Sequence, residues 1–482
     1  MKEKTIKNIE VDEDIVAPFR YKEFNDGYLI TNDFGFFEFL TVDEFKNFLN
    51  GSLKRSSEIF LELKNKGFVK DKDNLEKLRK RFFKRNQSLQ HGPGLHIVVV
   101  SLRCNYNCVY CQASSRGVEE EDLDMDIETA EKVVDLIFEA ENQKINIEFQ
   151  GGEPLVNWEV VKFIINYAKE KEKTSNKKIT FSLVTNFSLM DQEKLNFLIE
   201  KDINICTSLD GPRKIHNKNR PYLNGDSYKK VTKWIKKHRE AKKGRSEAST
   251  SALLTVSRFS LQNPKKIIDE YRENNFSGVH LRPLSNLGDS SGDAKNKIGY
   301  SAEDFMKYWK ESMDYILEIN QKGEHFTERG SLIMLTKILT DIDPGYTDLS
   351  SPCGAVIGQI AYDYNGDIYT CDEGRMVEDD IFKLGHVDNV TYKDIVSCDL
   401  CKTMINASIL ENQSCDFCAY KPYCGVCPVK NYAVEEALFP HMQSTEWCYI
   451  KKSKLDYLFS KLKKRKHRIV FEEWIQARHG RM

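Results

Sequence analysis

Cysteines are the residues here with the most chemistry to offer, and the chain's 13 are unevenly placed. None precedes Cys104; three lie within 104–111, Cys206 stands alone, and the rest fall within 353–448. Cys104, Cys108 and Cys111 form C-x3-C-x2-C. Three thiolates on one short loop can hold three irons of a [4Fe–4S] cluster and leave the fourth open for a substrate or cofactor. A zinc knuckle would use the same thiols, but structural zinc takes four protein ligands and no further Cys or His lies nearby. Downstream, Cys415, Cys418, Cys424 and Cys427 form C-x2-C-x5-C-x2-C, with Cys448 beyond them. Cys353 and Cys371 bracket Gly366 as C-x12-G-x4-C. In isolation the four-cysteine run suits zinc as well as an iron–sulfur cluster. Cys398 and Cys401 form a further CxxC that reads either as a ligand pair or as bystanders on a short helix. Cys206, in an apolar strand, reads as a buried structural thiol.

Composition narrows the setting. With 482 residues the chain should hold two to four domains. A net charge of -1 gives no reason to expect nucleic acid or membrane binding. Basic runs such as Lys236-Lys237-His238-Arg239 and 461–468 read as solvated helix faces. No apolar run is long enough to span a membrane, and Met1-Lys2-Glu3-Lys4 leads into acidic residues without a signal-peptide core. The expected location is the cytoplasm, where clustered thiols are more often metal ligands or catalytic groups than disulfides.

The elements that must position these thiols follow from periodicity. Residues 1–90 read as a small α+β unit: strand-like runs at 17–21, 27–31 and 36–40, then a helix N-capped by Thr41 with capping-box spacing to Glu44. A second helix ends at Gly67, and a charged helix over 74–86 links the unit to the rest. From 91 to 330, apolar runs at 95–102, 145–150, 179–185, 203–209, 252–257 and 279–284 alternate with helical patterns. Six βα units in series predict a parallel sheet with right-handed crossovers, its strands apolar as if covered on both faces. Pattern alone leaves an open barrel, a closed barrel and a doubly wound sheet possible. Over 331–450 regular periodicity fades, so metal ligation would have to supply stability. Residues 451–482 read as a basic terminal helical tail.

Taken together, the motifs resemble the radical S-adenosylmethionine (SAM) superfamily. Cys104-x3-Cys108-x2-Cys111, with Tyr110 before the last cysteine, resembles its signature. Gly151-Gly152-Glu153-Pro154 follows the second strand, Thr185-Asn186 ends the third, and Ser208-Leu209-Asp210-Gly211-Pro212 ends the fourth. In the family, motifs like these contact the SAM amino group, ribose and carboxylate. The resemblance therefore implies a partial (β/α)6 barrel and assigns Tyr110, Gly151, Gly152, Glu153, Thr185, Asn186, Ser208 and Asp210 to SAM. It also implies reductive cleavage of SAM to a 5′-deoxyadenosyl radical that abstracts a substrate hydrogen. The C-terminal cysteines resemble the SPASM domain, which carries two auxiliary [4Fe–4S] clusters. By position, Cys353, Cys371 and Cys427 would hold the first and Cys415, Cys418, Cys424 and Cys448 the second. The family spacing usually ends C-x3-C, and Cys424-x2-Cys427 departs from it; Cys398 or Cys401 would have to complete the first cluster if it is closed.

The N-terminal unit resembles the PqqD-like recognition element of peptide maturases, in which a leader peptide adds a strand to a sheet edge. Glu148 to Pro154, Ser208 to Pro212 with His216 and Asn219-Arg220-Pro221, Leu281-Arg282-Pro283, and Tyr420 to Gly425 resemble the His-Xaa-Ser system radical SAM maturase. That likeness implies a ribosomally made precursor peptide with a leader, an oxidative cross-link between its side chains, and an electron donor such as flavodoxin or ferredoxin. Arg282, leaving the sixth strand, and Asp372 and Glu373, following Cys371, are candidates to orient the peptide or accept a proton; a salt bridge is the plain alternative for each. Two other readings stand beside this one. A sulfatase-type maturase forming formylglycine shares the barrel and SPASM motifs but needs no recognition unit. The other is a non-catalytic iron–sulfur protein.

Overall fold

Ile145, Ile147 and Phe149 are buried while Asn146, Glu148 and Gln150 between them are only half-buried. This period-2 alternation shows how the central sheet is used. The computed structural model describes residues 10–24, 26–243, 249–288, 297–377 and 379–480; the Met1–Lys4 segment lies outside them. Strands are β1 (Arg20–Phe24), β2 (Gly27–Thr31), β3 (Phe37–Thr41), β4 (Leu95–Ser101), β5 (Lys144–Gly151), β6 (Lys178–Val184) and β7 (Asn204–Ser208). They continue as β8 (Thr250–Thr255), β9 (Gly278–Val279), β10 (Leu281–Arg282), β11 (Thr327–Glu328), β12 (Gln359–Tyr362), β13 (Asp367–Tyr369) and β14 (Lys383–His386).

The main sheet runs β10-β8-β7-β6-β5-β4-β12-β13-β14. Strands β4 to β8 and β10 are the six expected from the sequence, and every pairing among them is parallel. Two features differ from expectation. The sixth apolar run is broken at His280: β9 pairs with β11, and β10 pairs with β8. The sheet also continues past β4 through β12, parallel to it, into the antiparallel strands β13 and β14. These added strands have three or four residues each, too short to show periodicity.

The strands β5 to β8 are not covered equally on both faces. Their fully buried residues pack under the helices Ile127–Glu139 and Trp158–Glu172 and their neighbours. Glu148, Gln150, Ser182, Cys206 and Ser208 are only half-buried, on the alternate positions. An open barrel leaves one face of its sheet for a ligand, and polar side chains there need no apolar cover. β4, flanked by β5 and β12, is buried along nearly its whole length.

The N-terminal strands form an antiparallel meander β1-β2-β3. Its first strand begins at Arg20 rather than Ala17, because Pro18 has no N–H for the ladder. Thr41 and Glu44 form the expected capping box. The helix Leu75–Arg85, expected as a linker, is instead a clamp. Arg85 donates to Lys337 O at 2.5 Å, Thr340 O at 2.9 Å and Pro422 O at 3.3 Å. Arg81 pairs with Asp341 and lies over the Phe36 ring at 3.9 Å. The meander also touches the 415–424 loop: Thr31 Oγ1 donates to Ala419 O at 2.7 Å, Tyr423 OH to Gly35 O at 3.3 Å, and Arg20 to Asp416 O.

The C-terminal segment is not a single tail. Helices Glu446–Leu462 and Arg465–His479 pack on the helix Ala302–Gln321, with Trp474 and Phe471 fully buried. Trp474 Nε1 donates to Asn320 Oδ1 at 3.0 Å, and Tyr457 OH to Asp314 Oδ1 at 2.8 Å. Among the described residues no helix is long and apolar enough to cross a membrane.

Arg85 is 5% exposed, and no other side chain at that position can supply its donors to three carbonyls. Arg85→Met should lower stability by about 2–3 kcal/mol, the cost of stranding buried acceptors of a charged donor. Urea unfolding with proteolysis of the N-terminal unit checks this. An unchanged midpoint and unchanged protease resistance would show that the clamp is not needed.

Candidate functional site

The cysteine loop leaves β4 and is held by backbone bonds before any side chain matters. Gly152 N–H donates to Ser101 O and Glu153 N–H to Arg103 O, both at 2.8 Å. A Cβ on Gly151 would lie 2.1 Å from Ser101 O, and one on Gly152 2.2 Å from Arg103 O. Gly151 also has φ +139°, so both the close approach and the conformation require glycine there. Cys104 N–H donates to Arg116 O at 2.9 Å, closing the loop on itself. Its far side is braced by the segment after β7: Asn107 N–H donates to Pro221 O at 3.1 Å and Val109 N–H to Asn219 O at 2.9 Å.

Side chains then surround the three thiols. Asn186 Nδ2 lies 3.8 Å from Cys104 Sγ, and an Arg220 guanidinium nitrogen 3.7 Å from Cys108 Sγ. Cys111 Sγ is 3.2 Å from Ser115 Oγ. Burial pushes the Cys108 thiol up to about 12, with Arg220 opposing; burial and the neighbouring thiols also raise Cys104. Such thiols stay protonated unless a metal supplies positive charge.

Tyr110 lies on this loop and the other residues expected to bind SAM lie at the ends of β5, β6 and β7 beside it, but the two carboxylates among them are already engaged. Glu153 is fully buried and accepts from Thr185 Oγ1 at 2.6 Å, Asn186 N–H at 2.7 Å and Leu155 N–H at 3.1 Å. Burial nevertheless pushes its carboxyl up to about 7. Its role in this geometry is to join the glycine turn to the end of β6. Asp210, also fully buried, accepts from Tyr110 OH and from Arg220 Nε at 3.2 Å. Arg220 in turn lies 5.2 Å from the Tyr110 ring centroid. Sequence reasoning did not single out Arg220 as a site residue. Gly151, Gly152, Thr185, Asn186 and Ser208 keep the strand-end places expected of them.

The downstream cysteines separate into the two expected sets. Cys353, Cys371 and Cys427 are buried together in one cluster with Phe382 and Met404; burial raises all three thiols, and Cys427 adds to the rise at Cys353 and Cys371. Cys415, Cys424 and Cys448, with Trp447, pack against Leu410, Val426 and Met442; Cys418 packs against the main core and acts electrostatically on Cys415. Burial raises Cys415 to about 12 and Cys448 to about 11. Among the described residues no three His, Cys, Asp or Glu side chains converge as they would on one ion. A four-iron cluster distributes its thiolates over separate irons and asks for a wider set. The donor chemistry of all three sets fits such clusters.

Cys398 and Cys401 stand apart from both sets. Cys398 Sγ N-caps the helix Asp399–Ala407, accepting from Cys401 N–H at 3.3 Å. That helix turns Leu400 and Met404 toward the Cys353 set, while Cys401 packs into the main core near Tyr392 and Ile395. Cys206 is half-buried on the polar face of β7, not enclosed in an apolar core as expected.

A cavity of about 180 Å³ opens between the barrel and the C-terminal region. Gln112, next to Cys111, and Glu373, two residues from Cys371, both line it. Arg282 lines it as well. Asp372 does not; it is paired with Arg375 at 3.0 Å and serves as a salt-bridge partner. Sequence reading missed Tyr346, Asp348, Lys430, Lys451 and Lys454 on its wall, which come from three separate segments without a motif. Lys430 lies 3.7 Å from Asp348. Burial would raise the Asp348 carboxyl, but Lys430, Lys451 and Arg282 hold it below the usual value. Burial raises Glu373, Lys430 opposing and Asp348 adding.

Comparisons with known proteins agree with this geometry. A Cysteine-type anaerobic sulfatase-maturating enzyme of Clostridium perfringens is 25% identical over 381 residues, covering 77% of this chain and 98% of that protein. The solved structure of native anSMEcpe with bound AdoMet and Cp18Cys peptide has a TM-score of 0.64 at 24% identity, covering 78% of this chain and 100% of its own. Streptococcus suis SuiB bound to precursor peptide SuiA has a TM-score of 0.53 at 16% identity, covering 89% of this chain and 98% of its own. At those identities the two structures establish a shared fold. Residues 98–277 match the family model described as Radical SAM superfamily, and over that stretch the chain carries a Radical SAM domain.

Proposed function

We propose that this chain is a peptide-modifying radical SAM maturase that oxidatively cross-links side chains of a ribosomally made precursor. The observation that carries this reading is one cavity lined both by Gln112, next to Cys111, and by Glu373, two residues from Cys371. Cys104, Cys108 and Cys111 would hold a cluster with an open iron for SAM; Cys353, Cys371 and Cys427, and Cys415, Cys418, Cys424 and Cys448, would hold two auxiliary clusters. When bound, these groups supply one-electron cleavage of SAM and a nearby electron acceptor, which suits an oxidation better than an isomerisation.

The chain's own residues do the rest. The glycine turn and Arg220 fix the cysteine loop, so that SAM and substrate can be held in line. Leu281, Pro283, Leu349 and Trp447 give the cavity an apolar wall that excludes water. Closing a bond between two side chains releases a proton, and Glu373, a half-buried carboxylate on the cavity wall, is the proposed acceptor. The N-terminal meander is the candidate leader-binding unit. The difference between SuiB, which covers 89% of this chain, and anSMEcpe, which covers 78%, supports a recognition unit beyond the shared barrel. Formylglycine formation in a protein substrate is the second reading, favoured by the 98% coverage of the sulfatase-maturating relative.

Anaerobically prepared protein should bind about twelve irons, four for each of three clusters. Replacing Cys104, Cys108 and Cys111 with Ala should remove about a third of that iron and all SAM cleavage. Full iron content with retained cleavage would refute the assignment. Co-expression with the small open reading frame beside the gene, followed by mass spectrometry, tests the reaction. The expected product has lost about two hydrogens and carries a fragment-resistant ring. An unmodified peptide would reject the substrate class, and conversion of a Cys or Ser to an aldehyde would select the second reading.

A further inference from the structure

On the cavity wall Lys430, Lys451 and Asp348 already have partners, and Glu373, Glu435 and Glu446 line it as well. Lys430 faces Asp348 at 3.7 Å, Lys451 Nζ donates to Asp348 O at 3.4 Å, and both ammonium groups lie 4.5 Å from the Trp447 ring centroid. Two cations are different. Lys454, on the helix Glu446–Leu462, is 9% exposed, with its ammonium 5.2 Å from the ring centroids of Phe305 and Trp309. It has no hydrogen bond or ion pair among the described residues, and neither does the Arg282 guanidinium. Burial pushes the Lys454 ammonium down to about 8, Glu328 opposing and Lys451 adding, which leaves it charged near neutrality.

A buried cation without a direct ion pair is costly, and here only the longer-range fields of Glu328 on Lys454 and of Asp348 on Arg282, with the aromatic faces, offset part of that cost. Lys454 and the half-buried Arg282, lining one cavity, are suited to an anion with two acceptor oxygens, since Arg and Lys both make charge-assisted bonds to a carboxylate. We infer that Arg282 and Lys454 form a carboxylate-binding subsite, and that the substrate presents an acidic side chain to it. The inference rests on the cavity being the peptide site. SAM also carries a carboxylate, but none of Gly151, Thr185, Asn186 and Ser208 lines this cavity. Lys454 moreover lies outside the 98–277 domain.

Ligand-observed NMR on the anaerobically reconstituted holoprotein with SAM present tests this. The probes are N-acetylglutamate N-methylamide and its glutamine counterpart. The acid should bind at least about tenfold tighter than the amide, a difference of about 1.4 kcal/mol, and Lys454→Met and Arg282→Gln should each abolish the preference. The wild-type acid-against-amide comparison needs no variant, so a folding failure of either substitution does not remove the test. Equal binding of acid and amide, or a preference that survives both substitutions, would overturn the inference. Displacement of the acid probe by SAM would assign the subsite to SAM's own carboxylate and overturn it too. This binding readout and the co-expression product can fail independently, which separates an error in the subsite from an error in the substrate class.

Discussion

The contact on which the rest depends is the approach of two backbones, Ser101–Arg103 and Gly151–Glu153. Two hydrogen bonds of 2.8 Å join them, and no Cβ fits at either glycine. Because β4 and β5 are neighbouring parallel strands, this contact fixes where the chain leaves β4 and hence where Cys104 begins. Glu153 extends the same contact to β6 through Thr185 and Asn186, and Asp210 with Arg220 and Tyr110 extends it to β7. The strand ends and the thiol loop are thus one hydrogen-bonded assembly. Buried acidic groups that sequence motifs would assign to cofactor contact act here mainly as ties within it.

A second dependence links the ends of the chain. The N-terminal unit is bonded to Ala419, Asp416 and Pro422, all within the loop that spans Cys415 to Cys424, through Thr31 and Arg20 of the meander and Arg85 of the helix Leu75–Arg85. Whatever stabilises that loop therefore also seats the N-terminal unit. If metal ligation supplies the loop's order, as its weak periodicity suggests, cluster loading and docking of the unit are thermodynamically linked.

The six parallel strands and the Thr41 capping box were legible in the sequence because each rests on local signals: apolar runs and cap spacing. The polar face of the barrel was harder to see, since Glu148, Cys206 and Ser208 alternate with strong apolar residues and the runs read as buried throughout. Strands β12 to β14 are too short for a period. Asp372 and Glu373 are adjacent in sequence and looked equivalent, yet a salt bridge to Arg375 takes one while the other faces the cavity. Lys430 and Lys454 could not have been chosen from sequence, because what distinguishes them is who their neighbours are across distant segments.

If the glycine contact organises the site, it must exist before any iron arrives. Amide hydrogen exchange at Gly152 and Glu153 in the metal-free and cluster-loaded protein measures this directly. Both amides should exchange as slowly as the core of β5 in either state, opening only with global unfolding. Exchange in the metal-free protein at the rate of an exposed loop would show that the clusters build the turn, and would contradict the account.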